Sequence, residues 1–126
     1  MTAFIRIENE MPTSLTCRGV YFEETQSIST KELVLFIERD LYLLFKNIPC
    51  LNAHISVSLI EKLGVSQIRV EAGITPPNSK RTVQTHIEKI LWAYNQQTFV
   101  QNHGRLKALP PRFLFRVDVF HESEQG

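Results

Sequence analysis

The chain has 126 residues, 43% of them hydrophobic and 21% charged. That is the size and balance of one globular domain, and it excludes the low-hydrophobicity, high-charge regime in which chains stay disordered. Fourteen Lys and Arg against thirteen Asp and Glu leave a formal net charge of +1, so no global field draws the protein onto nucleic acid or anionic lipid, and any such binding has to be local.

The two cysteines, Cys17 and Cys50, are too few for a disulfide scaffold and lack the C-x-x-C spacing of a zinc or redox site. Free thiols in a reducing, cytoplasmic compartment are the expectation. The first ten residues carry Glu8 and Glu10 where a signal peptide has an apolar run, so no export signal is expected. The most apolar stretch, 33–45, is interrupted by Glu38, Arg39 and Asp40 and is shorter than the ~20 residues of a membrane span.

In chain order, residues 1–12 hold a short alternating stretch, Phe4-Ile5-Arg6-Ile7, that reads equally as an extra N-terminal edge strand or as a loosely held arm. A first strand is predicted from Leu15 to Phe22, ahead of the polar run Glu23-Glu24-Thr25-Gln26-Ser27. The first helix follows from a capping box, Ser29 with Glu32, and is predicted over 30–47, where Ile48-Pro49 ends it. Ile55, Val57 and Leu59, then Gly64, then Ile68, Val70 and Ala72 alternate as a hairpin turning at the glycine.

A second helix, capped by Asn78 or Ser79 and carrying Val83, Ile87, Ile90, Leu91 and Tyr94 at helical spacing, is predicted to reach Val100 and to stop at Asn102-His103-Gly104. A basic linker, 105–112, then leads to a last strand, Phe113 to Phe120, with Phe113, Phe115, Val117 and Val119 on one face. Residues 122–126 read as a flexible polar tail. The order is that of a split βαβ, ferredoxin-like βαββαβ sandwich: a single α+β domain over 1–126 with two helices on one face of an antiparallel sheet, the first and last strands in its middle.

Few residues carry recognisable chemistry. Asn78, Ser79, Lys80, Arg81 and Thr82 place hydroxyls and cations at a helix N-terminus, where anions are favoured. Arg105, Lys107 and Arg112 form a second basic group that would serve a phosphate backbone if it joined the first. The central strand 67–73 has no base-stacking aromatic, which disfavours an RNA-recognition motif. His54, His86, His103 and His121 stand singly, so no metal is expected, and no nucleophile, phosphate-loop or cofactor motif is present. Cys17, in a strand without a dedicated base, reads as a small buried hydrophobe.

Two features point to association. The first helix is apolar on more than one side, from Leu33 to Phe45, and so calls for cover from the N-terminal arm, the basic linker or a second subunit. The uncovered sheet face is predicted to hold Tyr21, Arg69, Glu71, Leu114, Arg116, Asp118 and Phe120, a mixture of both charges with apolar groups that suits a two-fold contact. The reading favoured is a non-catalytic interaction or regulatory domain acting as a homodimer or within a larger assembly. The alternatives are a nucleic-acid-associated protein using the basic groups, and an enzyme or ligand-binding protein whose cleft the sequence does not reveal. No cofactor and no membrane partner are expected.

Overall fold

A computed structural model describes residues 13–47, 53–75 and 79–122. Its elements, in chain order, are β1 (Thr13–Arg18), α1 (Phe22–Thr25), α2 (Thr30–Lys46), β2 (Ala53–Lys62), β3 (Val65–Ile74), α3 (Lys80–Ala93), β4 (Gln96–Asn102), β5 (Arg105–Ala108) and β6 (Leu114–His121). The α+β class holds, with the strands in two three-stranded sheets ordered β2-β3-β6 and β1-β4-β5.

The main sheet is built around β3, which pairs antiparallel with β2 and parallel with β6. Alternate residues of β3, Ile68, Val70, Ala72 and Ile74, are buried against Leu33, Ile37, Leu41 and Phe45 of α2 and Val83, Ile87 and Leu91 of α3 in one cluster. Both helices therefore lie on the same face. The spacing of four along each helix gives one buried stripe, and complete burial of each large aliphatic in it contributes about 1.5–3 kcal/mol. Ser29 caps α2 by accepting the Glu32 N–H at 3.2 Å, and its hydroxyl donates to the Glu32 carboxylate. Ser79 caps α3 by accepting the Thr82 N–H.

The sheet arrangement departs from the single antiparallel sheet of a ferredoxin-like sandwich. β1 is not beside β3; the last strand, β6, occupies that place in parallel register, and among the described strands β3 is the one flanked on both sides in this sheet. The cause lies at Gly19. Its N–H bonds to Asn95 O at 2.9 Å and the Tyr21 N–H to Ala93 O at 2.7 Å, which ties the end of β1 to the end of α3. A Cβ at Gly19 would overlap the carbonyl oxygens of Trp92 and Ala93, so this approach admits only glycine. β1 thus stops at Arg18, Phe22 enters the short helix α1, and β1 runs antiparallel to β4 from Thr13↔Gln101 to Arg18↔Gln96.

The second helix also ends sooner than its apolar spacing predicts. It stops at Ala93, and Gln96-Gln-Thr-Phe-Val-Gln-Asn102 is a strand that turns at His103-Gly104 into β5. Positive φ at His103 (53°) and Gly104 (77°) repeats that at Leu63 (52°) and Gly64 (78°) in the β2–β3 turn, the geometry that suits the twist of a two-residue hairpin. The basic linker is therefore β5 and a short return loop, and it leaves Leu35, Tyr42 and Leu43 of α2 exposed. Buried Asn95 joins the two sheets: its Oδ1 accepts from Gln96 N (2.9 Å) and Phe113 N (3.2 Å), and its Nδ2 donates to Phe113 O (2.9 Å). The N-terminal stretch, Asn78 and the tail beyond Glu122 lie outside the described residues.

Candidate functional site

The strand register decides what the helix-free face of the main sheet looks like. Across β2, β3 and β6 the outward residues form four rows: Ile60–Gln67–Leu114, Ser58–Arg69–Arg116, Ser56–Glu71–Asp118 and His54–Gly73–Phe120. Neighbouring rows are about 6.7 Å apart, two strand residues. The two inner rows are sorted by sign: Arg69 sits beside Arg116 and Glu71 beside Asp118, and like charges directly opposite on adjacent strands are unfavourable.

Within β6 the Arg116 Nε contacts Asp118 Oδ2 at 3.1 Å, so one ion pair links the rows. Arg69 has no ion pair among the described residues, and its Nε is enclosed without a hydrogen-bond partner. Apolar groups flank the charges, with Leu114 47% and Phe120 48% exposed. At one end the Glu122 carboxylate reaches across Gly73 to His54 Nδ1 at 2.9 Å. Tyr21, expected on this face, lies elsewhere. It precedes α1 and packs its ring on Tyr94 with centroids 5.3 Å apart, because the first strand ended before reaching it.

The basic residues do not converge. Ser79, Lys80, Arg81 and Thr82 are exposed at the start of α3, while Arg105 and Lys107 are exposed on the hairpin that follows its end. The end of β5 lies beside Gly64 and Ser66 at the start of β3, whereas Lys80 and Arg81 follow the far end of that ten-residue strand, and exposed charges act together only over ~8 Å at physiological salt. Arg112 turns inward. Its guanidinium donates to Thr25 Oγ1 (2.8 Å), Tyr94 O (3.0 Å), Ile28 O (3.3 Å) and Thr25 O, and it lies over the Phe22 ring at 5.3 Å. Burial lowers its pKa. Thr25 O also accepts the Ile28 N–H, and Tyr94 directly follows α3, so Arg112 ties the α1–α2 connection to the end of α3.

Beside it is a notch of about 180 Å³ lined by Tyr21, Glu24, Thr25, Phe36, Arg39, Asp40 and Tyr94. The Tyr94 hydroxyl donates to Asp40, and burial followed by that carboxylate raises the phenol pKa well above its ordinary range. Arg39 approaches Asp40 at 3.4 Å and covers the Phe36 ring. Thr25, Arg39, Asp40 and Tyr94 have hydrogen-bond partners within the protein, and no nucleophile here is aligned with a base.

Cys17 is exposed rather than buried. It shares a face of the small sheet with Leu15, Phe99 and Leu106, and Leu15 and Leu106 are 63% and 70% exposed. Among the described residues no group of three or more His, Cys, Asp or Glu side chains could hold a metal, and no helix is long and apolar enough to cross a membrane. Sequence reading overlooked His54, Ser56, Ser58, Ile60 and Gln67 as members of the open face. Alternation in β2 and β3 was the signal that could have placed them there. No protein-family description, curated protein or solved structure matches this chain.

Proposed function

We propose that this protein is a non-catalytic interaction module that acts as a homodimer, with the open face of β2-β3-β6 as its contact surface. One observation carries the reading: the register sorts that face into a row of arginines beside a row of carboxylates, with Leu114 and Phe120 on its outer rows. Such a surface is costly to leave in water as like-charge neighbours, and it carries both signs needed to meet a second copy of itself. The self-satisfied notch at Tyr94 and the dispersed basic residues lend little support to an enzyme or a nucleic-acid surface. In a reducing cytoplasm the exposed Cys17 thiol stays free, in keeping with a contact that needs no disulfide.

The test is sedimentation equilibrium of the native chain through the micromolar range at low and physiological salt. A reversible monomer–dimer equilibrium that weakens with salt supports the reading. A monomer throughout would remove it.

A further inference from the structure

Resting on the reading of the chain as a homodimer, we infer that the second copy docks face to face on β2-β3-β6 with its strands antiparallel. The two-fold axis runs across the strands between the arginine row and the carboxylate row.

The inference follows from the order of the rows. An in-plane axis parallel to the strands would keep each row at its own height and set Arg69 and Arg116 against the same arginines of the partner. An axis across the strands inverts the height of every row. It sets Arg69 over the partner's Glu71, and Arg116 over the partner's Asp118, while Leu114 meets the partner's Phe120. Both like-charge rows then face their opposites, and the exposed apolar groups of β6 cover one another. Gln67 falls over the partner's Gly73, which the Glu122 side chain spans on its way to His54, so the Gln67 amide meets a carboxylate there. A single arrangement thus resolves the charge conflict and buries the apolar groups, as a self-complementary isologous contact requires.

The size of the face sets the strength. Four rows at about 6.7 Å and three strands at about 4.8 Å give roughly 27 by 14 Å in projection, which is below the ~800 Å² per partner of a standard interface. The dimer is accordingly weak and reversible. Packed sheets lie about 10 Å apart, which leaves room for the arginine and carboxylate side chains to meet between them.

The experiment uses two double variants of the full chain, Arg69→Glu with Arg116→Glu and Glu71→Arg with Asp118→Arg. All four positions lie on the outer face, away from the core cluster, and circular dichroism checks the fold of each. Each variant alone faces itself with four like charges, so its self-association should weaken at least tenfold, to the order expected of juxtaposed like charges. Mixed in equal amounts, the two should form a heterodimer as readily as the native chain forms its dimer. A second measurement needs no charge change: a Leu114→Cys chain mixed with a Phe120→Cys chain should form an intermolecular disulfide on mild oxidation faster than either chain alone.

Both variants dimerising as the native chain does, or a mixture that fails to pair, overturns this docking while the homodimer reading stands on the native sedimentation result. A native chain that is monomeric overturns both. Cross-linking that is no faster in the mixture than in the single-variant controls overturns the antiparallel axis even if charge reversal weakens the dimer.

Discussion

Replacing Asn95 by Ala should be among the most damaging conservative changes in the chain. The side chain makes three hydrogen bonds, to the N–H and C=O of Phe113 and to the N–H of Gln96, at 2.9–3.2 Å, and both Asn95 and Phe113 are at most 2% exposed. Gln96 is less buried, so water can replace its bond. The two Phe113 groups are left without partners, at about 1–3 kcal/mol each, and partial entry of water brings the expected loss to about 3 kcal/mol. That is a large share of the roughly 5–15 kcal/mol by which domains are stable.

With a urea slope of about 1.5 kcal/mol/M, the unfolding midpoint should fall by about 2 M with the slope unchanged. Asn95→Asp makes a sharper companion. It keeps the two accepted bonds but loses the donor and buries a carboxylate, whose folded-state pKa is then raised. Its deficit should be greatest at neutral pH and shrink as the pH falls and the carboxyl protonates. A loss below about 1 kcal/mol for Asn95→Ala, at constant slope, would refute the view that this side chain substitutes for backbone pairing between the two sheets.

Gly19→Ala should destabilise by about 2–3 kcal/mol, the cost of overpacking against atoms that cannot yield, since the new methyl overlaps backbone carbonyls of α3; an unchanged melting temperature contradicts it. Leu63→Asn should stabilise by about 0.5–1 kcal/mol, because Asn tolerates the positive φ of the turn better than Leu and no packing is lost at this fully exposed position. Because the folded Tyr94 phenol holds its proton above the ordinary value, its contribution to stability is complete below about pH 10 and is lost as the pH rises through the folded value. Alkaline unfolding curves of the native chain and Tyr94→Phe should therefore differ in that window and run parallel below it. Titration with short DNA and RNA at low salt should give the same negligible binding for the native chain and for Lys80→Glu with Arg81→Glu, since Lys80 and Arg81 start α3 while Arg105 and Lys107 lie on the separate β4–β5 hairpin; strong native binding lost in the variant restores the nucleic-acid reading.

Signals carried within a few residues were legible in the chain. The Ser29–Glu32 capping box, the four-residue spacing of Leu33, Ile37, Leu41 and Phe45, the alternation on either side of Gly64 and the apolar face of Phe115, Val117 and Val119 each express a local period or a local hydrogen bond. For that reason α2, the β2–β3 hairpin and β6 stand close to where those patterns put them, and Arg69, Glu71, Arg116, Asp118 and Phe120 were placed on the outward side of the sheet by alternation alone.

What tertiary structure decided are matters of partner and register, which no local pattern encodes. Phe99 and Val100 continue a helical spacing, yet they are drawn into a strand by pairing with β1 some eighty residues away. Arg112 reads as a surface cation in a basic linker, but the carbonyls of Thr25, Ile28 and Tyr94 turn it inward. The sorting of charges into rows depends on the parallel pairing that sets Arg69 against Arg116 and not against Asp118. A shift of that register by two residues would leave every side chain on the same face while setting Arg69 against Asp118, or Glu71 against Arg116, so the alternation visible in the sequence is identical in both cases. The tie at Asn95 holds Phe113, the residue before β6, in the place from which β6 starts opposite Gln67, a long-range contact that the alternation does not contain.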